Sequence, residues 1–81
     1  SDDMQKKIKD ALQKRLDAVG DALKDYDEID VSEDGTEAYK KAQEAFYDAQ
    51  EEHGDGAGMM RLAKDIGMDV SDDKYDRLTY Y

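Results

Sequence analysis

Histidine, cysteine, serine and paired carboxylates carry most protein chemistry, and this chain offers them very unevenly. It has one histidine, His53, and no cysteine. Without cysteine there is no disulfide framework, no thiolate nucleophile and no thiolate metal site, and the redox compartment is left open. Ser1, Ser32 and Ser71 fall at terminal, turn or cap positions, with no base in sequence reach to activate a hydroxyl. Carboxylates are abundant, but a catalytic pair needs two environments that push its pKa values apart. An exposed acidic run does not supply that. The expectation is a protein that is not an enzyme and uses no cofactor or metal.

The acid is concentrated. Asp21 to Glu37, DALKDYDEIDVSEDGTE, holds eight carboxylates and one lysine in a chain whose net charge is −10. Aspartate outnumbers glutamate sixteen to six, which keeps the charge close to the backbone. A domain of this sign repels polyanions over its whole surface, so direct nucleic-acid binding and docking on an anionic membrane are both disfavoured. The partners it favours are basic protein surfaces, those of nucleic-acid-binding proteins above all, or cations.

Three short stretches resemble known sites. Asp30 to Gly35, DVSEDG, resembles the start of an EF-hand calcium loop, with oxygen ligands at loop positions one, three and five and glycine at six. The resemblance implies a single calcium-binding module. It breaks at position eight, where Glu37 replaces an apolar residue, and at position twelve, where Lys41 replaces the bidentate glutamate. His53 to Gly58, HGDGAG, is similar to a phosphate-cradling loop but contains Asp55 and has no lysine after it. A hinge or helix cap explains it better. Leu62 to Met68 resembles the first half of a helix-turn-helix, yet the segment that would read bases begins Ser71-Asp72-Asp73 and also holds Asp76. It would meet DNA with carboxylates, so base reading is rejected.

The elements that must position these groups read as helices. Met4, Ile8, Ala11, Leu12, Leu16, Val19, Ala22, Leu23 and Tyr26 recur at the helical period and predict one long amphipathic helix, capped by Asp2 with Gln5. Gly20 interrupts it, for a bend or a close contact, and costs about 1 kcal/mol against alanine. Arg15 projects from near the centre of the stripe, either snorkelling to water or pairing with a carboxylate. Ile29 and Val31 then alternate with Asp30 as a short extended crossing. Asp34 and Glu37 form a capping box for a second helix, about Thr36 to Glu52, with Ala38, Tyr39, Ala42, Ala45, Phe46 and Ala49 on one face. A third helix is expected over Ala57 to Ile66, ending at Gly67, and a fourth over Asp72 to about Thr79, capped by Ser71 and stapled by Val70 and Tyr75.

The fold class expected is all-α: one acidic helical domain over residues 1–81, a small antiparallel bundle of three main helices plus a short C-terminal helix. No apolar run approaches the roughly 18 residues of a membrane span, and no signal-peptide core precedes the first helix, so the expected location is cytoplasmic. The first helix begins basic and the acidic stretch follows it, a lopsidedness with which a homodimer is compatible. The function expected is that of a protein-binding inhibitor or regulator whose carboxylates stand where phosphates would. In physical character, not in sequence, this is the DNA mimicry of viral proteins that block restriction or act as anti-CRISPR inhibitors. Asp25, Asp27, Glu28, Asp30 and Glu33 have the least structural work to do and are the expected partner-binding residues. The alternatives are a helical adaptor that binds through exposed Met and Tyr, with Met59, Met60 and the Tyr80–Tyr81 tail as its contacts, and the calcium module.

Overall fold

A computed structural model describes residues 1–30, 32 and 35–80. The described residues are mostly helical and contain no strand: α1 spans Asp2–Asp27, α2 Glu37–His53, α3 Gly56–Asp65 and α4 Asp73–Asp76, and a 3-10 turn over Arg77–Tyr80 follows. At 1.5 Å per residue α1 is about 39 Å long, and every other element packs on it.

The caps fall one or two residues from their expected places. Ser1, not Asp2, caps α1, its hydroxyl accepting from the Met4 N–H at 3.3 Å. Thr36, not Asp34, caps α2 through its hydroxyl and the Tyr39 N–H at 3.3 Å. Asp34 itself lies outside the described residues. Ser71 does not cap α4 either. Its N–H and hydroxyl both go to Asp69 Oδ1, at 3.0 and 2.6 Å, and Asp72 takes over by accepting from the Lys74 N–H at 3.1 Å. With Asp72 as the cap, Val70 and Tyr75 fall out of the staple register, and the last helix is shorter than its sequence suggests. Ile29 lies in a tight turn rather than an extended strand, its N–H reaching the Tyr26 carbonyl at 3.3 Å. Val31 lies outside the described residues.

The end of α3 follows the expected rule. Gly67 has φ +82°, the Met68 N–H reaches the Ala63 carbonyl at 2.9 Å, and the Gly67 N–H reaches Lys64 at 3.1 Å. This is the Schellman closure, which needs a residue without a Cβ penalty at the left-handed position.

The core is built on α1. Leu12, Leu16, Val19 and Leu23 meet Phe46 of α2, Met59, Met60 and Ala63 of α3, Tyr75 of α4 and Leu78 of the 3-10 turn. On α2 only Phe46 is fully buried. Ala42 and Ala49 are half-buried as expected, but Ala38 and Ala45 are exposed, while Gln43 and Gln50 are half-buried. On the side of Gln43 the contact is polar: its Nε2 donates to the Tyr26 hydroxyl at 3.0 Å, and that hydroxyl bonds to Tyr39 at 2.8 Å. The contacts of α1 and α2 run in opposite chain order: Tyr26 stacks edge-on with Tyr39, and Arg15 reaches His53.

The molecule is elongated, 49 × 22 × 15 Å, with a radius of gyration of 14.0 Å. A compact chain of this length would have about 11.7 Å. The excess comes from α1, whose N-terminal turns run beyond the elements packed on it.

Candidate functional site

The five sequence-selected carboxylates do not form one cluster. At about 100° per residue, Asp25 and Glu28 share the outward side of α1 with Asp21, in an i, i+4, i+7 row. All three are exposed. Asp27 points to a different side, where its Oδ2 lies 3.7 Å from Arg77 Nη1 of the 3-10 turn. Glu28 has Lys24 Nζ 3.9 Å away. Asp30 is exposed, but its Oδ1 accepts the Ser32 N–H at 2.9 Å, and this bond, with a second from the Ser32 hydroxyl, lowers its pKa. Asp25 alone makes no hydrogen bond or ion pair among the described residues. Glu33 lies outside them.

A second carboxylate row has the same spacing on α2: Glu44, Asp48 and Glu51, all exposed. Glu28 is the C-cap residue of α1 and the other five stand within the two helices, so the backbone positions are spaced about 6 and 4.5 Å along each axis. The molecule's charge is unevenly spread. Residues 16–55 carry three cations against fourteen carboxylates, whereas residues 1–15 carry five cations against three.

The calcium-like stretch is described only at Asp30, Ser32 and Gly35, and Lys41 lies in α2. No group of three or more His, Cys, Asp or Glu among the described residues is arranged to hold a metal. Asp55 of the glycine-rich loop caps α3, accepting the Gly58 N–H at 2.9 Å, which satisfies the orphan donor an anion would have used. Arg15 pairs with neither a carboxylate nor only water: its Nη1 donates to His53 O at 2.9 Å and so closes the C-terminus of α2.

One polar cluster escaped the sequence. Asp17 Oδ1 accepts from Gln13 Nε2 at 3.0 Å and from the Tyr75 hydroxyl at 3.0 Å, and lies 3.2 Å from Lys74 Nζ. Gln13 also donates to the Tyr75 hydroxyl. Burial pushes the Asp17 carboxyl up, but the bonds from Tyr75, Lys74 and Gln13 outweigh it and hold its pKa below the ordinary value. Burial, then the bond to Asp17, raises the Tyr75 hydroxyl. The two groups are moved away from neutrality in opposite directions, the reverse of what general acid–base chemistry needs. The cluster ties α4 to α1. Its only advance sign was the Gln13–Asp17 spacing of four residues at the edge of the apolar stripe. Beside it Lys24, Asp72, Asp73, Lys74 and Arg77 line a concavity of about 220 Å³ with mixed charge.

The aromatic and methionine contacts separate in the same way. Met59 and Met60, expected at the surface for an adaptor, are core residues. They face α1 because α3 turns its Met59–Met60–Ala63 side inward. Tyr47 and Tyr80 are exposed, and Tyr81 lies outside the described residues. Among the described residues no helix is long and apolar enough to cross a membrane. No family model, curated protein or solved structure matches the chain.

Proposed function

We propose that the protein is a non-enzymatic inhibitor or regulator that binds a basic protein surface, the carboxylates of α1 and α2 occupying phosphate positions. The fold this reading assumes is a small antiparallel bundle, three main helices with a short fourth, as the opposed order of the α1–α2 contacts supports. The observation that carries it is the pair of i, i+4, i+7 carboxylate rows, Asp21–Asp25–Glu28 and Glu44–Asp48–Glu51, exposed on rigid helices. B-DNA offers one phosphate per about 3.4 Å per strand, and each row is a sparser version of that repeat. A groove built to release counterions from DNA gains the same way from a fixed row of carboxylates. Inhibitors of restriction and CRISPR enzymes work by this physics, and a cytoplasmic nucleic-acid-binding protein is the partner it points to.

The test is affinity capture from the native host followed by a salt titration of the captured complex. The expected result is a nucleic-acid-binding partner, released by competing DNA or RNA, whose affinity falls at least tenfold between low and physiological salt. An interaction indifferent to salt overturns the reading. The exposed apolar side chains Met4, Ile8 and Leu62 favour a second role, as an adaptor.

A further inference from the structure

The apolar stripe of α1 is longer than the layer that covers it. α2 ends at His53, level with Arg15, and the N-terminal turns of α1 are left to α3. α3 in turn stops at Asp65, and its cap residue Ile66 sits with Gln5, Ile8 and Lys9 around an open concavity of about 290 Å³. Residues 1–8 are all exposed. Met4 is 62% exposed and Ile8 53%, although both lie on the stripe whose later members, Leu16, Val19 and Leu23, are fully buried. Leu62, one turn before Ile66 on α3, is 51% exposed. Met4 and Ile8 are neighbours on one helix and Leu62 and Ile66 on the other. Ile8 and Ile66 join the two pairs across the concavity. Of the five large exposed apolar residues of the described chain, Ile8 lines this concavity, and Met4 and Leu62 stand one helical turn from its lining residues Ile8 and Ile66.

The segments that form that groove carry a net charge opposite in sign to that of the molecule. Residues 1–15 carry five cations against three carboxylates, and α3 adds Arg61 and Lys64 against Asp65. Lys9 lines the concavity itself. A contiguous apolar patch with a polar rim marks an interaction site, and a groove between two helices takes a third helix by its i, i+3/i+4, i+7 apolar positions. Lys9 at the concavity and the excess of cations on the two segments select what flanks those positions.

We infer that the groove formed by Met4, Ile8, Leu62 and Ile66 docks an amphipathic helix of another protein whose apolar stripe is flanked by Asp and Glu. This site is separate from the carboxylate rows and of opposite sign, and it does not depend on them. The protein then joins two partners, a basic surface at one end and an acidic helix at the other.

The probe is a synthetic helical peptide with leucine at i, i+4, i+7 and i+11 and glutamate flanking them, titrated into the 15N-labelled full chain. A control peptide keeps the leucines and exchanges glutamate for lysine. The expected result is amide shifts confined to Met4–Arg15 and Leu62–Gly67, with the glutamate peptide binding at least tenfold more tightly than the lysine peptide. Ile8→Glu and Leu62→Glu, both at half-exposed positions, should abolish the shifts while circular dichroism shows the helices intact. If either variant unfolds, Lys7→Glu combined with Lys9→Glu should remove the tenfold preference instead. The inference is overturned if the glutamate peptide gives no shifts at millimolar concentration, if both peptides bind alike, or if the shifts fall elsewhere. It is equally overturned if the mass doubles with concentration in a way that Ile8→Glu prevents, since a second copy then fills the groove. Sedimentation with phosphatidylserine vesicles in the absence of peptide binding would assign the patch to a lipid surface and also overturn it.

Discussion

From Leu12 to Asp27, α1 is covered on several sides: by α2 through Tyr39 and Phe46, by α3 through Met59, Met60 and Ala63, and by the C-terminal segment through Tyr75 and Leu78. From Asp2 to Ala11 the same helix, with the same apolar period, is bare on most of its surface, and Met4 and Ile8 face solvent. The covered half adjoins the acidic rows, and the bare half is basic. One helical pattern has thus been put to two uses. Where partners within the chain meet the stripe it makes a core, and where none does it leaves a groove. The stripe alone says only that something apolar must cover it.

The largest expected effect is on core truncation. Leu16→Ala or Leu23→Ala in the covered half should lose about 2–5 kcal/mol, because both side chains are fully buried and leave a cavity. Ile8→Ala, on the same stripe, should change stability by no more than about 0.5 kcal/mol. Urea unfolding measures both, and similar losses at Ile8 and Leu16 would end the distinction between the two halves.

Two glycines sharpen it next. A Cβ on Gly56 would stand 2.8 Å from Leu78 Cδ2 and 3.4 Å from its Cβ, so Gly56→Ala should cost about 1–3 kcal/mol by overpacking. On Gly20 a Cβ would meet the Lys74 carbonyl at 3.5 Å and Leu78 Cδ1 at 3.7 Å, both ordinary contacts. Gly20→Ala should be neutral, or stabilising by up to about 1 kcal/mol through helix propensity. Thermal melts of the two variants should move in different directions.

The lock between α1 and α4 comes third. Tyr75→Phe removes a hydroxyl that donates to Asp17 and accepts from Gln13, and should cost about 0.5–1.5 kcal/mol. Asp17 has a lowered folded pKa, so the unfolded chain binds the proton more readily. Its contribution is therefore present above the unfolded value, about 3.9, and is lost as pH falls through the folded one. Lys74 is raised, by its bond to Asp17 first, and Tyr75 is raised by burial. Their contributions are complete below the unfolded values near pH 10 and decline as pH rises through the folded ones. Melting temperature against pH should be highest between these limits, and Asp17→Asn should flatten the acid side.

The smallest effect on stability and the largest on recognition are expected together. Asp25→Lys with Glu28→Lys should change stability by no more than the roughly 0.5 kcal/mol typical of exposed sites, since Asp25 has no partner among the described residues and the Lys24–Glu28 pair is weak. The same pair should lower affinity for the captured basic partner at least tenfold and reduce its salt dependence. Unchanged affinity would remove the acidic face from the proposed function.

How much of this could be read in advance depends on the range of the interaction involved. The four helices, the glycine stop at Gly67 and the long stripe were legible because periodicity, turn chemistry and propensity act within a few residues. Caps were misplaced by a residue or two because neighbouring Ser, Asp and Thr side chains compete for the same N–H groups. Ser71 lost α4 to Asp72 once Asp69 had taken its hydroxyl. The inner face of α2 was legible in Tyr39, Ala42, Phe46 and Ala49 but not at its edges, where Ala38 and Ala45 are exposed and Gln43 reaches Tyr26 by a long-range hydrogen bond. Leu78 gave no local sign of being a core residue, and it is fully buried against Gly20 and Gly56.

By itself, then, the sequence determined helix content, the apolar stripe of α1 and the segregation of charge, all of which are sums over neighbours along the chain. Which part of that stripe became core, which of the acidic residues were tied down by Arg77 or Ser32, and where methionine was buried were decided only by the tertiary structure. Those outcomes depend on which segments, tens of residues apart, reach the same place on α1, and no local pattern encodes that meeting.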